Sequence, residues 1–225
     1  MSGFGHIDTW VFDLDNTLYP ASCRLFDQMH IKMGNYVMKR FGVGFAEAKR
    51  IQKDLFYRHG TTLRGLMVEH GESPDGFLDD VHDIDYTAVR HDELLCDALS
   101  RLKGRKLVFT NGTTRHAERV LQRLGVKDAF EAVFDIVDSD YVPKPTRAPY
   151  NQFMLRHSVS PKSTAFFEDI ARNLEVPHDM GMTTVLVTDD ENADALHMNE
   201  GEIGPHVHHT TAHLASFLFG LNDLK

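Results

Sequence analysis

Two carboxylates, Asp13 and Asp15, stand one residue apart in the stretch WVFDLDNTLYP, where an apolar run gives way to polar residues. Three more polar clusters occur later in the chain: Thr110-Asn111-Gly112, Pro143-Lys144-Pro145 and Glu168-Asp169. Each has a plain structural reading when taken singly. Asp-x-Asp caps a helix or turn, Thr-Asn-Gly turns the chain with Thr113 or Thr114 as a helix cap, Lys144 is a loop lysine, and Glu168-Asp169 cap a helix begun by Ile170. Together and in this order, they supply what phosphoryl transfer through an aspartate needs. A carboxylate that attacks phosphorus divides the hydrolysis of an ester into two displacements. The anionic nucleophile must approach an anionic phosphate, which calls for a hard divalent cation and a lysine ammonium. The hydroxyl of Thr110 and the amide of Asn111 can donate to the remaining phosphate oxygens.

These clusters need elements that bring them together. Five short apolar runs read as buried strands: Thr9 to Phe12, Lys106 to Thr110, Ala132 to Ile136, Thr164 to Phe167 and Thr183 to Val187. Helical patterns separate most of them, which predicts a parallel α/β sheet. Ligands bind such a sheet outside the carboxyl ends of its strands, so the four clusters converge on one crevice. Strand alternation sends Leu14 away from that crevice and turns Asp13 and Asp15 toward it.

About ninety residues lie between the first two runs, far more than one crossover helix requires. Within them Leu25, Met29, Met33, Tyr36, Val37 and Phe41 form one apolar helical face ending at Gly42. Further helices are predicted over Phe45 to Tyr57, Leu63 to Glu69 and Pro74 to Val81, and a helix over Glu93 to Leu102 leads into the second strand. The expected organisation is an α/β core of residues 1–19 and 89–225, with a helical cap inserted at 20–88.

The 225 residues carry 42% hydrophobic side chains, enough for a sizeable core, and a formal charge of -9. That charge, with no basic cluster to offset it, argues against nucleic-acid polymers and anionic membrane surfaces as partners. Cys23 and Cys96 have no metal-ligand spacing, and the chain shows neither a signal peptide nor a membrane-spanning apolar stretch. Reduced thiols in the cytoplasm, in a monomer or homodimer, are the expectation. Fourteen histidines include His206, His208, His209 and His213. A tail so rich in Gly, Asn and His, without cysteines or a ligand helix, is expected to be a solvated loop rather than a metal site.

The order and spacing of Asp13-Leu14-Asp15-Asn16-Thr17, Thr110-Asn111, Lys144 and Glu168-Asp169 resemble the four motifs of the haloacid dehalogenase superfamily. The resemblance covers essentially the whole chain. It implies a Rossmann-like parallel core with a C1-type cap between strands 1 and 2. It also implies Asp13 as nucleophile and Asp15 as general acid/base. Asp13, Asp169 and the backbone carbonyl of Asp15 would hold Mg²⁺, while Thr110, Asn111, Gly112 and Lys144 would bind the transferring phosphoryl group. Glu168, Asn173 and Thr17 would support them. An alkoxide leaving group needs a proton, whereas halide does not, and dehalogenases of this family lack the second aspartate. Asp15 therefore favours a phosphatase. A phosphonatase would need a Schiff-base lysine from the cap, but Lys32, Lys39, Lys49 and Lys53 are expected on a solvated face.

The stretches FDLDNTLYP, HGTTLRGL, FTNGTTRHAERVL, YVPKP and FFEDIARNLEVP resemble the branch of pyrimidine 5′-nucleotidases. A nucleoside 5′-monophosphate is then the first expectation among small phosphorylated metabolites. Sugar-phosphate phosphatases and phosphomutases of the β-phosphoglucomutase type share the motifs, and a catalytically silent phosphate-binding protein would keep the scaffold. In the cap, Gly60 to Gly65 is the stretch expected to meet substrate, against plain helix capping by Thr61 or Thr62. Arg64, Arg115, Arg147 and Arg172 are candidate anion ligands, with surface ion pairing as the default for each. Tyr19 is a candidate contact to the leaving group, or a packing residue.

Overall fold

The computed structural model describes residues 3–188 and 203–222. Six strands form one parallel sheet: β1 (Thr9–Phe12), β2 (Arg105–Phe109), β3 (Ala132–Phe134), β4 (Thr164–Glu168), β5 (Thr183–Val187) and β6 (His209–Thr211), in the order β3-β2-β1-β4-β5-β6. The central strand, β1, is buried at all four residues, and Val11 lies opposite Leu107 on one side and Phe166 on the other. A strand covered on both faces reads as an unbroken apolar run because no side of it meets water.

Alternation along the strands divides the interior into two layers. Trp10 and Phe12 join Leu14, Val108, Phe167 and Val185 on one face, packed by helices α5 (Glu93–Arg101), α6 (Thr114–Leu124) and α9 (Leu214–Asn222). Val11, Leu107, Phe109 and Phe166 face the other way, onto Tyr150 and Phe153 of α7 (Arg147–His157) and onto Leu174. Leu174 closes a 3-10 turn, Ala171–Leu174, that leads into α8 (Glu175–Met180).

Four helices lie between β1 and α5: α1 (Leu25–Phe41), α2 (Phe45–His59), α3 (Thr62–His70) and α4 (Pro74–Val81). Met29, Leu55, Leu63, Leu66, Phe77 and Val81 give them an apolar cluster of their own. The contact of α2 with α3 requires Gly65, where a Cβ would lie 2.7 Å from the Cβ of Leu55.

Some element ends differ from expectation, each for a local reason. β3 stops at Phe134 rather than Ile136, because the Asp135 carboxylate accepts from the backbone N–H groups of Val137, Asp138 and Thr114 and turns the chain. β4 runs on to Glu168, which pairs with Leu186. The largest correction is β6, which lies within the histidine-rich stretch expected to be a solvated loop. His208 N–H donates to Thr184 Oγ1 at 3.1 Å, the Thr184 hydroxyl donates to the carbonyl of His206 at 2.7 Å, and the His209 ring packs 4.8 Å from Phe4. Cys23 and Cys96 form no disulfide among the described residues. Among the described residues no helix is long and apolar enough to cross a membrane.

Candidate active site

All six strands run the same way, so their carboxyl ends share one edge of the sheet. Beyond the end of β1, Asp13 N–H donates to the carbonyl of Phe167 at 2.9 Å, which holds the departing chain beside β4. Leu14 is fully buried in the core, while Asp13 and Asp15 line a cavity of about 430 Å³. Lys144, on the loop after β3, inserts its ammonium under Asp13. Its Nζ donates to Asp13 Oδ1 at 2.6 Å, Glu168 Oε1 at 3.3 Å and the carbonyl of Phe109 at 3.0 Å, and the side chain is 1% exposed. Those three acceptors account for all three ammonium hydrogens.

The other expected residues gather around this ion pair. Asn111 Oδ1 accepts from Lys144 N–H at 2.9 Å, and its NH₂ makes no hydrogen bond among the described residues. Thr110 Oγ1 accepts from Gly112 N–H at 2.9 Å, so the hydroxyl hydrogen of Thr110 stays available for a ligand. Gly112 thus engages its N–H within the turn. Its contribution to the cavity is the missing side chain, since a Cβ there would lie 3.3 Å from Thr110 Oγ1 and 3.1 Å from the His116 ring. Asn173 Nδ2 donates to Glu168 Oε1 in a short hydrogen bond. Thr17 is buried and does not line the cavity, and its hydroxyl has no partner among the described residues.

Asp15 has two partners. Its Oδ1 accepts from the Tyr19 hydroxyl at 2.6 Å and meets His116 Nε2 at 2.7 Å. Tyr19 is therefore a ligand of Asp15 rather than a contact to the leaving group, and it does not line the cavity. Sequence reading missed His116. It sits in the first turn of α6, capped by Thr113, and nothing local distinguishes it from any buried helical histidine.

Charge is strongly unbalanced here. Asp13, Glu168 and Asp169 offer ligand oxygens within 4.8 Å of one another, all buried, and Lys144 is the cation among them. With all three ionised, the cluster keeps an excess of two negative charges. Burial, then the charge of Asp13, pushes the Glu168 carboxyl up to about 8. Burial, then the charges of Glu168 and Asp13, raises Asp169 well above the ordinary carboxylate range. Burial, helped by the charge of Asp15, raises Asp13 as well, against the pull of Lys144. Asp15 goes the other way. Burial would raise it, but the charge and hydrogen bond of His116 and the hydrogen bond of Tyr19 outweigh burial and hold it low. A hard divalent cation fits this cluster on charge and on donor type, since every donor is oxygen. Glu168 Oε2 is also buried without a hydrogen-bond partner among the described residues.

The remaining walls come from the four-helix insert. Phe26, Met29 and Met33 of α1, Phe56 of α2, and Phe77 and Val81 of α4 supply an apolar lining, with Gln52 and His30 as polar groups within it. Gly60, Thr61, Thr62 and Leu63 also line the cavity, whereas Arg64 and Gly65 do not. Thr61 caps α3 by accepting from Arg64 N–H at 3.1 Å. Of the four candidate arginines only Arg172 lines the cavity; Arg115 pairs with Asp79 at 3.7 Å. Lys49 and Lys53 are exposed, as expected, but they also line the cavity, because α2 turns that edge toward the sheet.

The sequence model of the haloacid dehalogenase-like hydrolase family matches residues 7–181. Phosphate metabolism protein 8 of Saccharomyces cerevisiae is 27% identical over 193 residues, covering 78% of this chain and 60% of that protein. The chain thus spans about 60% of the length of that curated relative. A HAD phosphatase from Thermococcus onnurineus superposes with a TM-score of 0.60 at 15% identity, covering 97% of both chains. L-2-haloacid dehalogenase from Xanthobacter autotrophicus, with chloropropionic acid covalently bound, superposes at 0.59 and 17% identity, covering 97% of this chain and 100% of the dehalogenase. A phosphatase and a dehalogenase match equally well, so these likenesses establish the fold and leave the reaction to the side chains. On the family match, together with a parallel sheet whose strand ends gather Asp13, Lys144, Glu168 and Asp169, this chain belongs to the haloacid dehalogenase-like hydrolase family.

Proposed function

We propose that the chain is a Mg²⁺-dependent phosphomonoester hydrolase that acts through an aspartyl-phosphate, with nucleoside 5′-monophosphates as its substrates. One observation carries the reading: Asp13, held by Lys144, and Asp15, held by His116 and Tyr19, line the same cavity one residue apart. The carboxylate of Asp13 attacks phosphorus, the ester P–O bond breaks, and Asp15, which takes up a proton as the anionic phosphate enters beside it, delivers that proton to the departing alkoxide. Asp15 then takes a proton from water, whose oxygen attacks phosphorus, breaks the Asp13–phosphoryl bond and releases inorganic phosphate. Thr110 and Asn111 donate to the phosphoryl oxygens as charge spreads over them, and the Lys144 ammonium beside Asp13 offsets that charge. Asp13, Asp169 and the backbone carbonyl of Asp15 would hold Mg²⁺, with Glu168 and Asn173 beside them. When bound, the ion supplies positive charge that offsets the anionic nucleophile and phosphate.

The metal part makes a pH-dependent prediction. Without metal, the fold keeps protons on Glu168 that the unfolded chain, with a carboxyl near 4.5, has already lost. Stability is then fully present below 4.5 and is lost as pH rises through about 8. A divalent cation favours the ionised carboxylates, so its binding releases protons and flattens that slope. Thermal melts across this window with EDTA and with Mg²⁺, and calorimetry in buffers of different ionisation enthalpy, should show both effects. EDTA should stop turnover, and full activity in EDTA would remove Mg²⁺ from the reading.

Residues 20–88 serve in this reading as a cap that selects the leaving group. The aromatic and methionine walls suit a flat, weakly polar group such as a nucleobase. Gln52, buried on α2 with its amide 3.2 Å from His30 Nδ1, can read the hydrogen-bonding edge of a base. The test is phosphate release from a panel of pyrimidine and purine monophosphates and small sugar phosphates. The nucleotides should show the highest kcat/KM, and Gln52→Leu should raise their KM about tenfold, with kcat little changed. A sugar phosphate as best substrate, or its isomer as product, would overturn the nucleotide assignment.

A further inference from the structure

The carboxyl of Asp15 is held asymmetrically. Its Oδ1 meets Tyr19 Oη at 2.6 Å and His116 Nε2 at 2.7 Å, and both partners are buried behind it, outside the cavity lining. Oδ2 makes no hydrogen bond among the described residues and lies on the side left open by Gly112, where an added Cβ would come within 3.7 Å of it. His116 is itself fixed from behind. The Tyr86 hydroxyl lies 3.0 Å from His116 Nδ1 and 3.1 Å from the carbonyl of His82, and the His82 ring stacks on His116 at 4.7 Å and 23°. The His82 ring nitrogen Nδ1 lies 3.0 Å from the carbonyl of Leu78, which ties this stack to α4. An ionised carboxylate only accepts, so the group facing it at Nε2 has to be an N–H donor.

We propose that His116 and Tyr19 are positioning residues that hold the Asp15 carboxyl by Oδ1 so that Oδ2, the oxygen open to the cavity, faces the leaving group. An oxygen that already accepts two hydrogen bonds cannot readily carry a hydrogen of its own in the same plane. When Asp15 takes a proton, the two donors on Oδ1 therefore direct it to Oδ2. They also stop the broad, two-fold torsion of the carboxyl from turning that proton into the protein. Asp15 remains the catalytic residue, and His116 acts through it. The inference rests on the phosphomonoesterase reading and on Asp15 as its acid.

The experiment compares two leaving groups in His116→Phe, which keeps ring volume and removes the donor, and His116→Gln, which retains an N–H. The measured step is the pre-steady-state burst of leaving-group release, which reports phosphorylation alone. A nucleoside 5′-monophosphate expels an alkoxide that needs a proton; p-nitrophenyl phosphate expels a stable anion that does not. His116→Phe should slow the nucleotide burst by about 10²-fold or more at unchanged KM, leave the p-nitrophenyl burst within about threefold, and be largely rescued in His116→Gln. Tyr19→Phe, which removes the second donor and keeps the ring, should shift the two esters apart in the same direction and serves if His116→Phe fails to fold. An equal loss on both esters, or no loss on either, would overturn the positioning role. Wild-type protein that releases neither leaving group would overturn the phosphomonoesterase reading, and the inference with it.

Discussion

Asp13→Asn should reduce turnover by about 10⁴-fold or more while leaving the protein folded. The amide is a poor nucleophile, so the aspartyl-phosphate cannot form, and mass spectrometry of protein quenched during turnover should find the added phosphoryl group in wild type only. The fold should survive for an electrostatic reason. Asp13, Glu168 and Asp169 crowd more negative charge around Lys144 than one ammonium can match, and each carboxyl is pushed up. Neutralising one of them relieves repulsion, so in EDTA the variant should melt no lower than wild type at pH 8 and should lose less stability between acid and alkaline pH. A variant that keeps most of its activity would remove Asp13 as nucleophile. A collapse in melting temperature would mean that Asp13 serves chiefly as the partner of Lys144.

Lys144→Met should have the largest effect on stability of any change in the site. Methionine keeps most of the stem volume, but three hydrogen bonds vanish, the carbonyl of Phe109 is left unpaired, and the acidic cluster loses the ammonium of Lys144. Removing one partner of a buried ion pair costs about 3–5 kcal/mol, because the other charge stays buried. Urea unfolding in EDTA should show that loss near neutral pH and much less of it in acid, where the carboxyls are protonated. Mg²⁺ should restore part of it. Adding Glu168→Gln to Lys144→Met should recover stability, since the surviving charge is then smaller, and strictly additive losses would argue against that coupling. Activity should fall about 10³-fold, the scale of losing a preorganised donor to developing charge. Near-normal turnover would place the ammonium outside the chemistry.

Local signals were strong where an element carries its own boundary. α1 ends at Phe41 because Gly42 takes a left-handed φ of 65°, and α4 begins at Pro74, where a proline needs no hydrogen-bond donor. β1 was legible as the run Thr9-Trp10-Val11-Phe12 because both of its faces are covered. β6 was not: His209-Thr210-Thr211 shows no apolar alternation, and it becomes a strand through its pairing with β5 beside the contacts of His208 with Thr184. The inward-facing edge of α2 was similarly hidden, since Lys49 and Lys53 look like any solvated helical lysines until α2 is set against the strand ends.

By itself, the sequence determined which groups stand at the strand ends. Periodicity places Asp13, Thr110 and Glu168-Asp169 where apolar runs stop, and that depends on neighbours a few residues away. Only the tertiary structure decided which groups touch and what charge each carries. Lys144 meets Asp13 across 131 residues, and His116 meets Asp15 across 101. Desolvation and Coulomb forces act through space, so two aspartates one residue apart diverge: Asp13 is raised by burial, and Asp15 is lowered by His116, which comes from α6 beyond β2 in the chain, and by nearby Tyr19.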